Sequence, residues 1–275
     1  MRVVILPNAE AVARFGADLV VEQLHTRPDS VLGLATGSTP VALYKRLVQA
    51  CRTGRVSFSR ARTFNLDEYL GLERCHPQSY HQYMRHHLFA HIDIPPEHTA
   101  LPAGDTEDAF AACEDYERRI RASGGIDLQL LGIGRNGHIG FNEPTSSLGS
   151  RTRIKTLTQA TIDDNARFYK DDECQPHMAI TMGIGTILEA RRILLLATGP
   201  AKAKAVSRMI EGPLGAFCPA SALQLHPDTI VAIDQAAASN LVHGDFYQHV
   251  EKEHQQLLGR TGRHSAPLSL PTTKQ

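Results

Sequence analysis

The sequence predicts an α/β fold, Rossmann-like, in which a mainly parallel sheet is covered by helices on both faces of a single domain. Three observations predict it. Apolar runs of strand length alternate with segments of helical periodicity from one end of the chain to the other. The strand candidates are continuous apolar stretches, as in Arg192-Ile-Leu-Leu-Leu-Ala197, which suits strands buried on both faces. Four polar turns follow strand candidates directly, and open α/β sheets hold ligands at the carboxyl ends of their strands.

Arg2 to Leu6 reads as the first strand. Asn8 can cap a helix reaching about Leu24, with Val12, Phe15, Gly16, Leu19, Val20 and Leu24 on one face, and Pro28 and Asp29 end that segment. Ser30 to Ala35 is a second buried strand. Thr36-Gly-Ser-Thr-Pro40 turns it into a helix from about Val41 to Cys51, with Pro40 where proline suits the first helical turn. A third strand, Arg62 to Asn65, leads into a turn at Asp67 to Tyr69. A helix over about Ser79 to His91 follows, then Pro95-Pro96, then a charged helix from Glu107 to Ala122. Asp127 to Leu131 is the strand before the turn Gly132 to Glu143. The Thr, Asp and Asn content of Lys155 to His177 predicts a mobile segment. Met182 to Ala190 reads as a helix, Arg192 to Ala197 as a strand and Gly199 to Glu211 as a helix. Thr229 to Ile233 is the last strand, and a polar helix covers Asp245 to Leu258. The domain is therefore expected to span 1–258. Residues 259–275, rich in Ser, Pro, Thr and Arg, read as a tail outside it. No internal repeat or long linker divides the chain.

Composition removes several classes of function. Lys and Arg number 29 and Asp and Glu also 29, so nothing points to nucleic acid or a membrane surface as partner. The apolar run at the N-terminus is too short for a signal peptide, and no stretch approaches the length of a membrane span. The five cysteines are scattered without a C-x-x-C pair, which fits reduced thiols and a cytoplasmic location.

The densest chemistry lies in Gly132-Ile-Gly-Arg-Asn-Gly-His-Ile-Gly-Phe-Asn-Glu143. It formally matches the dinucleotide fingerprint G-x-G-x-x-G. That fingerprint wants a long helix and an acid about 20 positions on, whereas Pro144 interrupts and Lys155 to Thr158 occupy the acid's place. Histidine is the side chain whose unperturbed pKa lies nearest neutrality, which makes His138 a candidate that Glu143 could tune or orient; the alternative is a glycine turn with a satisfied surface histidine. Thr36, Gly37, Ser38 and Thr39 open a helix, where N–H groups, hydroxyls and the helix dipole favour an anion. They form no Walker loop, so one phosphate suffices; the alternative is an ordinary capped helix start. Lys202 and Arg167 are cations able to complete a phosphate site, or plain surface charges. Asp67 and Glu68 sit at a strand end, where a partly desolvated carboxylate suits a base; a helix N-cap followed by a solvated acid is the competing reading. His81, His86, His87 and His91 crowd one helix but lack the H-E-x-x-H glutamate and a third ligand, so no metal is expected. No G-x-S-x-G elbow is present.

Taken together, Thr36-Gly-Ser-Thr-Pro40, Phe64-Asn-Leu-Asp-Glu-Tyr69, the Gly132–Pro144 stretch, Ser150-Arg-Thr-Arg-Ile-Lys-Thr156 and Leu223-Gln-Leu-His-Pro227 resemble the glucosamine-6-phosphate deaminase family. The likeness runs in order over roughly residues 1 to 258, and its His-Ile-Gly-Phe-Asn-Glu-Pro signature is specific. It implies conversion of glucosamine 6-phosphate and water to fructose 6-phosphate and ammonia, without metal or organic cofactor. By the same resemblance His138 opens the sugar ring, with Glu143 tuning and Asn136 orienting it, and Asp67 moves the proton between C2 and C1. Thr36, Gly37, Ser38, Thr39, Arg167 and Lys202 hold the phosphate, and the Lys155–His177 segment is an active-site lid. Asn136 stands where some members carry Asp. As an amide it orients by hydrogen bonds and cannot exchange a proton.

The resemblance also implies a homo-oligomer. Some members are hexamers activated by N-acetylglucosamine 6-phosphate at a subunit interface, at positions matching Ser146, Arg153, Lys155, Thr156 and Tyr247. Others keep parts of that motif without the regulation. Two competing functions stay open: another sugar-phosphate lactonase or isomerase, which would not need Asp67 as a carbon-acid base, and a silent sugar-phosphate sensor. The sensor wants a DNA-binding segment and loss of the acids. Asp67, His138 and Glu143 are all present.

Overall fold

The structure is a computed structural model and describes residues 1–159, 162 and 175–261. Seven strands form the main sheet: β1 (Arg2–Leu6), β2 (Val31–Leu34), β3 (Arg62–Asn65), β5 (Thr99–Ala100), β6 (Leu128–Leu131), β9 (Arg192–Ala197) and β10 (Thr229–Asp234). Their spatial order is β1-β10-β9-β6-β2-β3-β5, and all the pairings are parallel. From β2 the chain steps outward to β3 and β5. It then returns to β6 on the other side of β2 and steps through β9 and β10 to meet β1. The strand order thus reverses between β2 and β6, which opens a crevice at their carboxyl ends.

Helices cover both faces. The helix α1 (Ala9–Thr26) starts where Asn8 accepts from the N–H of Ala11 at 2.9 Å. Gly16 forms its contact notch: a Cβ there would lie 2.6 Å from Leu43 on α2 (Pro40–Arg52) and 3.4 Å from Leu196 on β9. On the opposite face, Tyr116 of α4 (Ala109–Ala122) meets Phe64 of β3 edge-on at 5.6 Å. The parallel register puts Leu196 and Phe64 on opposite sides of the sheet, so α1 and α4 sandwich it. Among the described residues no helix is long and apolar enough to cross a membrane.

A second, antiparallel sheet was not expected. β4 (Asp67–Tyr69), β7 (Arg153–Thr156) and β8 (Met178–Thr181) pair in the order β4-β8-β7. Two sequence expectations are corrected by it. Asp67 to Tyr69 is a strand, not a turn, and Lys155 and Thr156, expected to open a mobile segment, belong to β7. The cause is tertiary: these short strands gain hydrogen bonds only from partners far along the chain. Tyr69, Phe141, Leu157 and Ala179 give the small sheet its own apolar cluster, with Tyr80 packed on it. Leu66 joins the sheets, its N–H donating to Leu34 O at 3.0 Å and its carbonyl accepting from Met182 N at 2.7 Å.

Other helices are shorter than expected. α3 runs Tyr80–His87 before a 3-10 turn at Phe89–His91; α5 is Ile184–Leu188; and α6 is Ala203–Ile210 after a 3-10 turn at Pro200–Lys202. The last helix, α7 (Gly244–Thr261), extends three residues into the expected tail. The rest of the tail, and most of the expected lid with Arg167, lie outside the described residues.

Candidate active site

The crevice is built from four chain segments, each following a strand of the main sheet. Asp67 comes first. It sits on β4 two residues past β3 and is 5% exposed, and its cross-strand partner is Thr181. Burial, with the Glu68 charge beside it, pushes its carboxyl up to about 8. Glu68 leaves the strand on the other side, since side chains alternate. It accepts from the N–H groups of Tyr69, Tyr80 and His81 at 2.9, 3.0 and 3.1 Å, and lies 2.8 Å from His81 Nδ1. Glu68 is thus not the solvated acid of the competing reading. It receives the first turn of α3, whose Ser79 cap accepts from Gln82 N.

The turn after β6 carries the imidazole. Gly134 N donates to His138 O at 2.9 Å, folding the loop back on itself. A Cβ at Gly134 would lie 2.3 to 2.4 Å from the His138 ring, so the ring occupies space that only glycine leaves. His138 Nδ1 lies 3.4 Å from Glu143 Oε2, an ion-pair separation without hydrogen-bond geometry. Asn136 joins the two: its amide N–H donates to Glu143 Oε2 at 2.6 Å, and its oxygen accepts from His138 N at 3.1 Å. Thr158 donates to the other oxygen of Glu143 at 3.3 Å. Two residues beyond His138, Gly140 has φ +56°, and a Cβ there would lie 3.2 Å from Asp67 Oδ2. The loop that holds the imidazole therefore abuts the carboxyl of β4.

At the opposite wall, Thr36 to Thr39 join β2 to α2. Gly37 has φ +102°, and its carbonyl accepts from the Tyr83 hydroxyl at 2.6 Å. Tyr80, on the same helix as Tyr83, lies beside the Thr36 side chain. Thr39, at the N-cap, makes no side-chain cap bond, and Pro40 follows it. The start of α2 therefore differs from the ordinary capped helix that was the competing expectation. Gly199 N donates to both oxygens of Asp234 at 3.0 and 3.1 Å, which places the turn carrying Lys202. Lys202 Nζ donates to Ile133 O at 2.7 Å and so lies against the turn after β6.

The second expected group is only partly assembled. Ser146 is 2% exposed, and among the described residues its hydroxyl has no hydrogen-bond partner. Arg153 donates to Asn142 Oδ1 at 2.9 Å, and burial lowers its guanidinium from the ordinary value. Lys155 and Thr156 continue the same strand. Tyr247 lies on α7, beside Glu211 just past α6. Sequence reasoning missed Thr181 and Gly140 beside Asp67, and the His81–Glu68 pair. A strand pairing leaves no trace in local sequence, but Ser79 followed by helical spacing did mark the α3 terminus that Glu68 binds. Among the described residues no group of three His, Cys, Asp or Glu side chains is arranged to hold a metal ion.

Fold and site together define a Rossmann-like α/β protein with a small-molecule crevice at its strand reversal, furnished with a buried carboxyl, an imidazole–carboxylate pair and a hydroxyl-lined helix start. The family described as glucosamine-6-phosphate isomerases/6-phosphogluconolactonase matches residues 7–231. The chain belongs to that family. It is 64% identical over 262 residues to the glucosamine-6-phosphate deaminase of Cellvibrio japonicus (strain Ueda107), covering 95% of this chain and 100% of the relative. With the glucosamine-6-phosphate deaminase of Streptomyces coelicolor (strain ATCC BAA-471 / A3(2) / M145) the identity is 52% over 250 residues, covering 90% and 96%. A solved structure described as a monomeric glucosamine-6-phosphate deaminase superposes with TM-score 0.85 at 45% identity, covering 87% of this chain and all of that one. The 6-phosphogluconolactonase from Trypanosoma cruzi, with TM-score 0.70 and 21% identity over 88% of this chain and 97% of its own, shares the fold.

Proposed function

We propose that the chain is a glucosamine-6-phosphate deaminase, converting glucosamine 6-phosphate and water to fructose 6-phosphate and ammonia. The observation that carries this reading is the contact between two chemistries: the buried Asp67 carboxyl lies against Gly140, in the loop that holds His138, Asn136 and Glu143. His138 moves a proton from the anomeric hydroxyl to the ring oxygen, opening the pyranose to the C1 aldehyde. Glu143 stands beside the imidazole to stabilise its charged form, and Asn136 holds both groups in place. Asp67, as carboxylate, takes the C2 proton while a proton passes from the C2 ammonium to O1, giving an enolamine. Asp67 then returns its proton to C1 to leave a C2 iminium. The C2 iminium then adds water and expels ammonia, leaving the ketose, and the balance closes with one water. Positioned acid–base groups of this kind typically supply about a hundred- to ten-thousand-fold each. Thr36, Gly37, Ser38 and Thr39, with Lys202, receive the phosphate; Arg167 is proposed from sequence alone.

The test is direct. Purified protein is incubated with glucosamine 6-phosphate, and ammonia and fructose 6-phosphate are measured together. Equimolar products are expected. Their absence, with hydrolysis of 6-phosphogluconolactone instead, would replace this reading with the lactonase one.

The regulatory part of the reading is that N-acetylglucosamine 6-phosphate binds at Ser146, Arg153, Lys155 and Thr156, with Tyr247, between copies of the chain. The Ser146 hydroxyl, unpartnered among the described residues, supports it. A sigmoidal rate curve that the effector makes hyperbolic is expected; a hyperbolic curve indifferent to the effector, from a monomer on gel filtration, would sink it. A cytoplasmic location is supported by the free thiols of Cys51, Cys75, Cys113 and Cys218.

A further inference from the structure

Glu68 has no place in the chemistry just described, yet it is 1% exposed and adjoins the proposed base. Its two oxygens accept from three backbone N–H groups. Its partners are the first residues of α3. From that helix the Tyr83 hydroxyl donates to the Gly37 carbonyl at 2.6 Å. A continuous path of bonds therefore runs from β4 through α3 to the turn before α2. We propose that Glu68 is a positioning residue: by gripping the first turn of α3 it fixes the span between Asp67 and the anion-binding turn Thr36–Thr39. The proposal rests on the deaminase reading.

A sugar phosphate spans these two points, with its phosphate at the turn and its C2 at Asp67. The span must match the substrate, because small misplacements at a reacting centre cost large factors in rate. Glu68 also acts on Asp67 as a fixed like charge. The titratable groups around Asp67 among the described residues are Glu68 and Tyr69 on β4, Tyr80 on α3 and Tyr116 on α4, with His138 and Glu143 in the loop whose Gly140 abuts it. All three tyrosines are raised by burial and stay neutral near pH 8. Glu68 itself is faced by His81 from α3. A neutral side chain at 68 removes the like charge adjoining Asp67 on β4.

Two substitutions test this, each read by KM, kcat and the pH profile with glucosamine 6-phosphate, and by calorimetric binding of inorganic phosphate. Glu68→Gln is expected to raise KM and to move the acid limb of kcat/KM down by about one pH unit. Tyr83→Phe removes the bond to Gly37 without touching the charge. It is expected to raise KM and the phosphate dissociation constant about five-fold, the worth of one hydrogen bond, and to leave the limb where it is. An unmoved limb in folded Glu68→Gln, or wild-type KM and phosphate binding in Tyr83→Phe, overturns the proposal. Should Glu68→Gln fail to fold, the Tyr83→Phe arm decides alone. A wild type that forms no fructose 6-phosphate fails the deaminase reading instead, and phosphate binding by Tyr83→Phe still reads the path through α3.

Discussion

Asp67 joins two demands that pull against each other. A carbon-acid base must be ionised to act, and burial beside Glu68 raises this carboxyl to about 8. The free protein should therefore show kcat/KM rising with pH toward a limb near 8, since that ratio reports the unliganded enzyme. The same shift has a stability consequence with a definite sign. The folded state keeps a proton that the unfolded chain, near 3.8, gives up. Stability from this group is complete below about 4 and is lost as pH rises to about 8. Asp67→Asn should abolish turnover, and its melting temperature relative to wild type should climb across that window and level off above it. A constant difference from pH 4 to 9 would show that the carboxyl is not raised. Gly134 makes a second prediction at this scale. Alanine there would overlap the His138 ring, so Gly134→Ala should lower kcat by about a hundred-fold while circular dichroism stays native. Part of this arrangement was legible in the chain: Asp67, His138 and Glu143 drew attention by residue type and placement, and Asn136 only through the family resemblance. The grip of Glu68 on α3 did not, because its partners lie on a helix that local sequence cannot place against it.

Among the elements, partners decided what could be read. β1, β3 and β9 lie at the expected residues; β9 is an apolar run buried on both faces of the main sheet, whereas β1 at the sheet edge is partly buried. β4, β5, β7 and β8 were missed. These short strands are polar or mixed, and their pairing with distant segments leaves no local period. What holds the small sheet against α4 is polar. Glu117 on α4 accepts from Thr152 N and Oγ at 2.9 and 2.6 Å, from Thr186 Oγ at 2.5 Å, and from Arg151 Nε and Nη at 3.1 and 2.5 Å. Those hydroxyl and N–H donors depress its carboxyl despite burial. Glu117→Ala leaves them without a partner and should destabilise by about 3 kcal/mol in urea melts at neutral pH. The loss should shrink in acid, where the wild-type carboxylate is itself protonated. A loss below about 0.5 kcal/mol would place this network among weak surface contacts.

On the scale of the whole molecule, the parallel sheet and its helices followed from the alternation of runs, and the rim of turns pointed to where a ligand would sit. The order β1-β10-β9-β6-β2-β3-β5 did not, since strand order is settled by packing between segments that no local pattern connects. Two turns distant in sequence, Thr36–Thr39 and Gly132–His138, flank one crevice only because β2 and β6 are neighbours at the reversal. The small sheet adds a dependence in time. Asp67 is seated by pairing with Thr181, more than a hundred residues further along, and loop closure over such distances is slow to pay back its entropy. Refolding from denaturant should therefore restore far-ultraviolet ellipticity before it restores turnover, with a lag that lengthens if β8 is weakened, as by Ile180→Gly. Coincident recovery of both signals would mean that the base is seated as early as the strands around it.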